Sequence, residues 1–582
     1  MDIIRAVQSY VERMLSDTTG MKVLLLDEHT TPIVSVVATQ SYLLSKETYL
    51  VDKVGNSNRD TLKHLKCVCF LRPTDESMMA LAKELQAPRY GSYYVYFSNA
   101  LKKSMIELLA EHDENELVQE VQEFYADYLA VDSHTFHFGM TPENMPIYLT
   151  ANEWEASALD RCTQGLISVL LSLRKKPTIR YEANSRMAAK LAESVSYMVN
   201  REKTLFDFKP VEKPPPLLLI LDRRNDPVTP LLLQWMYHAM VHELVGINNG
   251  LVDLTHVSGI KEELKQVVLS VDQDSFFKQS QYLNFGELGE SIRDYVNNYQ
   301  SKSQSQQKIE SITDMKKFVE SYPEFRKLSG NVTKHVTLVG ELSRLVSDHH
   351  LLTVSELEQS LACNEQHKSD LEQVKALISN PGIRPVYKVK CVILYALRYE
   401  GLSTHATSEL KQMLARSGVS PDMVSMVDTM LKFGGRRQRQ GDLFENSNIF
   451  TRGINAIKGL KGVENVYTQH KPLLSQTLDL LIQGREHLKI QQLLPTYSPH
   501  GADGSRTHGA ERYGQHGGGT SSMTALKDII IFFVGGVTLE EEAVIAKINA
   551  NPPLPGLNIV IGGTTIHNSA SFLDELSTTF FP

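Results

Sequence analysis

The residues of this 582-residue chain best placed for chemistry lie between Leu217 and Leu244, in LLLILDRRNDPVTPLLLQWMYHAMVHEL. Asp222, Arg223, Arg224, Asn225 and Asp226 directly follow an apolar run, and open α/β sheets place ligand clefts at the carboxyl ends of their strands. An Asp-Arg-x-x-Asp turn also pairs its own charges and satisfies loose backbone donors, and that structural role is the one favoured. Gln234, His238 and His242 follow at i, i+4 spacing, as a metal-binding helix face would require. Their order, His-x-x-x-His-Glu, lacks the internal Glu of a zincin helix and a third ligand, so they read as a polar stripe. His500, His508 and His516 are irregularly spaced in a Gly/His/Ser-rich stretch and read as solvated. No metal is assigned.

Gly535-Gly536 and Gly562-Gly563 follow apolar runs and would let a backbone approach an anion, but paired glycines also make ordinary strand-to-helix turns. The chain contains no G-x-x-x-x-G-K-[ST] phosphate loop, no G-x-G-x-x-G turn and no G-x-S-x-G nucleophile elbow. A sugar-phosphate or nucleotide-binding α/β enzyme is the alternative to keep in view. It lacks a His, Cys or carboxylate cluster beside these glycines, and no cofactor is expected.

The elements that must position these groups follow from patterning. Leu217–Leu221 is continuously apolar and too short for a helix, so it reads as a central strand covered on both faces. Thr229 as N-cap and Pro230 at the first helical position predict a helix from Pro230 to Leu244. Between Met21 and Val131, the runs VLLLD, VSVVA, TYLVD, CVCFL and YYVYF alternate with polar or helical stretches, as in a parallel α/β sheet. A second set begins near Asp132, with a helix from Asn152 to Leu173, the Leu217 strand, and equally apolar runs at Ile529–Val534 and Leu557–Ile561. Val228 to Thr477 is mostly helical, with a hairpin-like interlude from Val267 to Phe285 around Asp272-Gln273-Asp274. Tyr497 to Thr524 cannot bury a core and reads as a mobile loop.

Composition narrows the function classes. At 42% hydrophobic, 582 residues can bury several cores, and the formal charge of −8 gives no general reason to expect nucleic acid or an anionic bilayer as partner. Five cysteines without paired spacing indicate a reducing compartment, with Cys67 and Cys69 as core thiols. Ile4, Val7, Val11 and Met14 lie at helical spacing among Arg5, Glu12 and Arg13, which describes a docking helix and not a signal peptide. The longest apolar run, Ile529–Val537, has nine residues, far below the roughly 20 of a spanning helix, so no direct membrane insertion is expected.

Five segments together resemble one family, in the expected order. They are MKVLLLDEHTTPIVSVV from Met21, LDRRNDPVTPLLLQWMYHAMVHEL from Leu221, GVENVYTQHKPLL from Gly462, DIIIFFVGGVTLEEEA from Asp528 and IVIGGTTIHNSASFLDEL from Ile559. They are similar to the SM family, the Sec/Munc-type regulators of SNARE proteins in membrane fusion. The resemblance implies a three-domain arch of α/β plus α class. Residues 1–131 would form a first α/β domain, 132–227 with 478–582 a discontinuous second one, and 228–477 an inserted, mostly helical third. It also implies no enzymatic activity. The expected partners are a Qa-SNARE (a syntaxin) and an R-SNARE, met by a cytoplasmic monomer held peripherally at endosome and trans-Golgi membranes.

The resemblance places partner sites residue by residue. Met105, Leu108 and Leu109 share one face of a short helix, and Leu117, Val118, Val121, Phe124 and Tyr125 form the stripe expected of the next. Between two such helices, Met105, Leu109, Val118 and Val121 match the family's pocket for the syntaxin N-terminal peptide, with Glu123 the carboxylate that meets a basic peptide residue. Asp27 and Asp52 match positions facing the cleft that holds the syntaxin bundle. Basic residues that exocytic relatives use there correspond to Pro32 and Thr39, which points away from capture of a closed syntaxin through those charges. Residues 311–347 resemble the helical hairpin that aligns SNARE helices, with Pro323 at its tip as a helix-breaking switch. There, Leu328, Val332, Val339, Leu342 and Val346 form a heptad-like stripe, and Val336 lies off that line, facing outward. Gly330 and Gly340 each cost about 1 kcal/mol relative to Ala, which makes the hairpin marginal.

Overall fold

The computed structural model describes residues 1–306, 312–363, 366–439, 467–498 and 526–580, with side chains from 302 to 327 left aside. The chain divides into two compact units. One comprises Met1–Arg223, Leu474–Val537 and Val544–Ile566; the other comprises Arg224–Leu473, Thr538–Ala543 and His567–Pro582.

The first unit contains two large sheets. After the amphipathic helix α1 (Ile3–Asp17), which buries Ile3, Ile4, Val7, Val11, Met14 and Leu15, come β1 (Lys22–Leu26), β2 (Thr48–Lys53), β3 (Leu62–Leu71), β4 (Tyr90–Phe97) and β5 (Val118–Glu123). All pair in parallel in the order β2-β1-β3-β4-β5. Parallel neighbours need a crossover between them. That requirement explains why VSVVA is not the expected strand: it falls in α2 (Thr30–Val37), which buries Ile33 and Val34, and α3 (Gln40–Ser45) completes the passage to β2. Helices α4 (Asp75–Gln86) and α5 (Lys103–His112) make the later crossovers. Their apolar faces meet Val23, Leu25, Cys67, Cys69 and Val95 in one core.

Residues 117–125 are likewise not the helix that their apolar spacing suggested. The Asp113 carboxylate accepts the N–H groups of Leu117 and Val118 at 2.9 and 3.0 Å, and the chain then pairs with β4 as β5. The open hydrogen-bonding edge of β4 outweighs the intrinsic preference of a short Gln/Glu-rich segment.

The second sheet joins distant parts of the chain. Its strands, in spatial order, are Thr178–Tyr181, Leu217–Asp222, Asp528–Val534, Asn558–Gly563, Thr135–His137 and Leu129–Ala130, parallel except for the last pair. Leu217–Asp222 is buried along its whole length, as its unbroken apolar run requires. Helices α6 (Ala156–Ser172) and α7 (Arg186–Arg201) belong to the same unit.

The second unit is mainly helical. It contains α8 (Tyr237–Leu244), α9 (Ser275–Ser280), α10 (Phe285–Gln306), α11 (Ile312–Asp348) and a succession of helices from Leu351 to Gly434. The helix expected from Pro230 is interrupted. Thr229–Leu231 forms a single 3₁₀ turn, and α8 begins only at Tyr237. The cause is competition for backbone donors: Thr229 N–H goes to Asp226 at 3.0 Å, and Leu233 N–H goes to the Glu358 carboxylate at 2.8 Å. The expected hairpin near Asp272 is also displaced. Gln266–Val268 pairs back with Leu251–Asp253, and Asp274 instead caps α9. Among the described residues, no helix is long and apolar enough to cross a membrane.

Candidate functional site

The expected peptide pocket falls on α5 and β5, but its residues divide between core and surface. Met105 and Leu109 point into the sheet, where they join the cluster of Val95, Phe97, Leu81 and Leu85. They therefore cannot line an open socket, and their i, i+4 spacing records the buried face of α5. Val118 is half-buried against that cluster, whereas Val121 is 43% exposed on an edge strand. Val121 lies in register with Val95, so its side chain leaves the same sheet face that α5 covers. The apolar residue that spacing missed is Ile106, 49% exposed and about 100° round α5 from Met105. Glu123 ends β5 with both oxygens engaged: Oε1 accepts Leu101 N–H at 2.7 Å, and Oε2 accepts the Tyr125 hydroxyl at 2.8 Å. Its carboxylate ties the segment leading into α5 to the end of β5.

Asp27 is a buried structural acid. It accepts from His29 N–H, Thr30 N–H and the Thr30 hydroxyl at 3.0, 2.7 and 2.9 Å, and from Arg72 N–H and the Ser77 hydroxyl at 2.6 and 2.8 Å. This corrects its expected place on a partner-facing surface. The carboxyl ends of β1 and β3 are the switch point of this strand order, where doubly wound sheets bind ligands. Here the protein's own groups occupy it. Arg72 and Arg161 both pair with buried Asp127, at 3.2 and 3.1 Å, and Asn99 donates to the same carboxylate at 2.9 Å. Burial, and then the neighbouring Arg72 charge, hold His29 below the usual imidazole range.

Asp52 is placed differently. It lies on edge strand β2 beside exposed Tyr49, Leu50 and Val51, and holds Asn56 Nδ2 at 3.0 Å. Pro32 lies within α2, and Thr39 caps α3 by accepting Tyr42 N–H at 3.1 Å.

The segment expected to form the hairpin, 311–347, instead lies within a single helix, α11, apart from residue 311, which is outside the described residues. Pro323 is therefore not at a tip. Backbone helix continues through its position in α11, and its side chain lies outside the described residues. Val332 and Leu342 are buried and Leu328 and Val339 half-buried, while Val336 is 43% exposed. The buried stripe also contains Leu338, Leu345 and a member that apolar patterning could not find, His335.

The charged turn and the glycines serve the fold. The Ser185 hydroxyl donates to Asp222 at 2.5 Å, and Arg223 is fully buried, bonding Gly536 carbonyl oxygen through Nε and Nη2 at 3.2 and 3.0 Å. Its guanidinium lies 4.5 Å from the centre of the Phe533 ring. Gly535 and Gly536 adopt φ of 83° and 84°, which side-chain-bearing residues rarely do. Gln234 precedes α8, so it shares no helical face with His238 and His242. The segment Gly462–Val466 of the family-like GVENVYTQHKPLL, and His500, His508 and His516, lie outside the described residues.

A five-stranded parallel sheet, a second sheet that gathers C-terminal strands, and a helical unit with a long exposed-valine helix together define a class, and the comparisons identify it. The chain belongs to the Sec1 family, whose model matches residues 22–575. It is 47% identical over 578 residues to vacuolar protein sorting-associated protein 45 of Mus musculus, covering 99% of this chain and 96% of that protein. The Schizosaccharomyces pombe protein of the same name is 44% identical over 579 residues, covering 99% of both. Among solved structures, the SM protein Vps45 in complex with the Qa SNARE Tlg2 (1-310) superposes with a TM-score of 0.88 at 46% identity, covering 100% of this chain and 98% of that one. The Unc18–syntaxin 1 complex from Monosiga brevicollis shares the fold, with a TM-score of 0.76 at 18% identity and full coverage of both chains.

Proposed function

We propose that this chain is a non-enzymatic SM-type chaperone that binds a Qa-SNARE of the syntaxin class and promotes SNARE complex assembly in endosome and trans-Golgi transport. The observation that carries this reading is the near full-length likeness, at 46% identity, to an SM protein solved with a Qa SNARE. Under it, the syntaxin N-terminal peptide docks at the outer side of α5 and β5. Val121 and Ile106 supply exposed apolar contact, Val118 the floor, and Glu123 a nearby negative charge. An R-SNARE helix meets α11 at Val336. Holding two disordered segments in register lowers the ordering entropy of their encounter, so no covalent step is needed. The protein acts as a monomer that reaches membranes through its SNARE partners. Its division into domains at residues 1–131, 132–227 with 478–582, and 228–477 belongs to the same reading.

The test is titration of the purified chain with a syntaxin N-terminal peptide. Binding that Val121→Arg abolishes supports the proposal, because the substitution puts an unpaired charge against an apolar anchor. A chain that binds no syntaxin peptide or SNARE helix, yet is stabilised by a nucleotide or sugar phosphate, overturns it.

A further inference from the structure

Helix α11 carries neighbouring residues turned to opposite environments. His335 is fully buried, while Val336, about 100° further round the helix, is exposed. One carboxylate accounts for the inward side. Asp274 Oδ1 caps α9 by accepting Phe276 N–H and Phe277 N–H, both at 3.1 Å. Its Oδ2 meets His335 Nε2 at 2.8 Å and forms an ion pair with Lys334. On its other side, the His335 ring bonds the Tyr237 hydroxyl of α8 at 2.7 Å through Nδ1, and Lys334 also donates to Val268 carbonyl oxygen at 3.0 Å. Phe276 stacks on Tyr295 of α10 at 4.4 Å between centroids and lies 4.7 Å from the His335 ring.

An ordinary N-cap needs one oxygen and one or two backbone donors. Asp274 does that and also holds two consecutive side chains of α11. Gly330 and Gly340, with open space where their side chains would stand, weaken α11 on either side of this point. The helix therefore depends on tertiary contacts for its rotational setting.

We infer that Asp274 is a positioning residue for the partner-binding face of α11: by drawing Lys334 and His335 inward it fixes the rotation that turns Val336 outward, an inference that rests on the SNARE-templating role proposed above. Asp274→Asn separates this role from capping, because Asn is as good an N-cap but lacks the charge. The experiment measures binding of a synthetic R-SNARE helical segment and of the syntaxin N-terminal peptide to the full chain, with hydrogen exchange of the amides from 332 to 340.

If loss of the clamp leaves about a tenth of molecules with α11 correctly turned, Asp274→Asn weakens R-SNARE binding about tenfold. His335→Leu does the same, and His335→Gln, which keeps a donor toward Asp274, recovers most of the loss. Binding of the N-terminal peptide is unchanged, because α5 and β5 belong to the other unit. In a Val336→Asp background, Asp274→Asn adds no further loss, as coupling through one surface requires. Amides from 332 to 340 exchange faster in Asp274→Asn with no partner present. Wild-type-like R-SNARE binding, or a loss that simply adds to that of Val336→Asp, overturns the inference. If the unmodified chain binds no SNARE segment, the functional proposal is what fails; unchanged exchange in Asp274→Asn then overturns the clamp as well.

Discussion

Lys390 and Glu358 lie 3.3 Å apart in the helical unit, with both side chains wholly shielded from solvent. Lys390 also reaches Glu243 at 3.5 Å and the Ser569 hydroxyl at 3.3 Å, while Glu358 accepts Leu233 N–H at 2.8 Å. One ammonium thus balances two carboxylates, Glu358 fully shielded from water and Glu243 largely so. Removing one member of a buried pair leaves an uncompensated charge, which costs about 3–5 kcal/mol. Lys390→Met is therefore expected to lower stability by about that amount, more than the loss of its packing would. The urea unfolding midpoint measures it. Lys390→Met combined with Glu358→Leu and Glu243→Gln should recover much of the loss.

Burial on α5 and β5 predicts opposite phenotypes for two substitutions of the same chemistry. Val121→Arg places its charge in water and should leave the melting temperature within about 2 °C of the parent while abolishing syntaxin-peptide binding. Met105→Arg forces a guanidinium into the core beneath α5 and should prevent folding of that unit. Ile106→Arg belongs with the first. Circular dichroism melting together with peptide binding by fluorescence anisotropy distinguishes the two classes.

How much of this was legible in the sequence depends on whether one short-range rule governed each segment. Continuous apolar runs such as Leu217–Leu221 announced buried strands, and Val336 stood apart from its stripe because α11 is long enough for its periodicity to be read. Segments decided by distant partners were read wrongly. Residues 118–123 pair with β4, 34–37 form part of a crossover that only sheet topology requires, and Leu233 gives its N–H to Glu358, 125 residues away. The pocket suffered from a different ambiguity. An i, i+4 pair such as Met105 and Leu109 identifies one face of a helix, but not whether that face meets a partner or its own core. Asp27 was expected to face a partner by resemblance alone; its donors at Arg72 and Ser77 come from elements that spacing could not bring to it.

Gly562 tests whether the C-terminal glycines serve packing. A Cβ added there would fall 2.4 Å from the nearest Phe136 ring carbon, closer than atoms can approach without displacement. Gly562→Ala should cost about 1–3 kcal/mol through overpacking. Phe136→Leu should relieve part of that cost in the double substitution, although alone it is destabilising. A denaturation double-mutant cycle reads the coupling, and additive losses would show that the ring and the glycine do not compete for the same space.

Acid should loosen the Asp274 clamp. Burial pushes the His335 imidazole down, the bond from Asp274 partly offsets this, and the ring stays neutral at pH 7. Burial raises the Asp274 carboxyl, but bonding to His335 and Lys334 outweighs it and holds the group well below the usual carboxylate range. The titratable groups around the ring are Asp274, Lys334 on α11, Tyr237 on α8 and Tyr295 on α10, the last two held above the ordinary phenol range by burial first and then by the Asp274 charge. A histidine whose folded pKa lies below its unfolded value binds more protons when unfolded at intermediate pH. Its contribution is therefore complete above about pH 6.5, the unfolded value, and is lost as pH falls through the folded one. Asp274 acts in the same direction, but only below the ordinary carboxylate range near 3.8. Between pH 7.5 and 5.5, His335 is thus the member of the clamp whose unfolded form takes up a proton. The unmodified chain should lose more stability to urea across that interval than His335→Gln, whose amide does not ionise, because groups common to both proteins cancel in the difference. Equal slopes would mean that His335 takes up no proton on unfolding in that interval, and that its burial against Asp274 leaves its pKa unshifted.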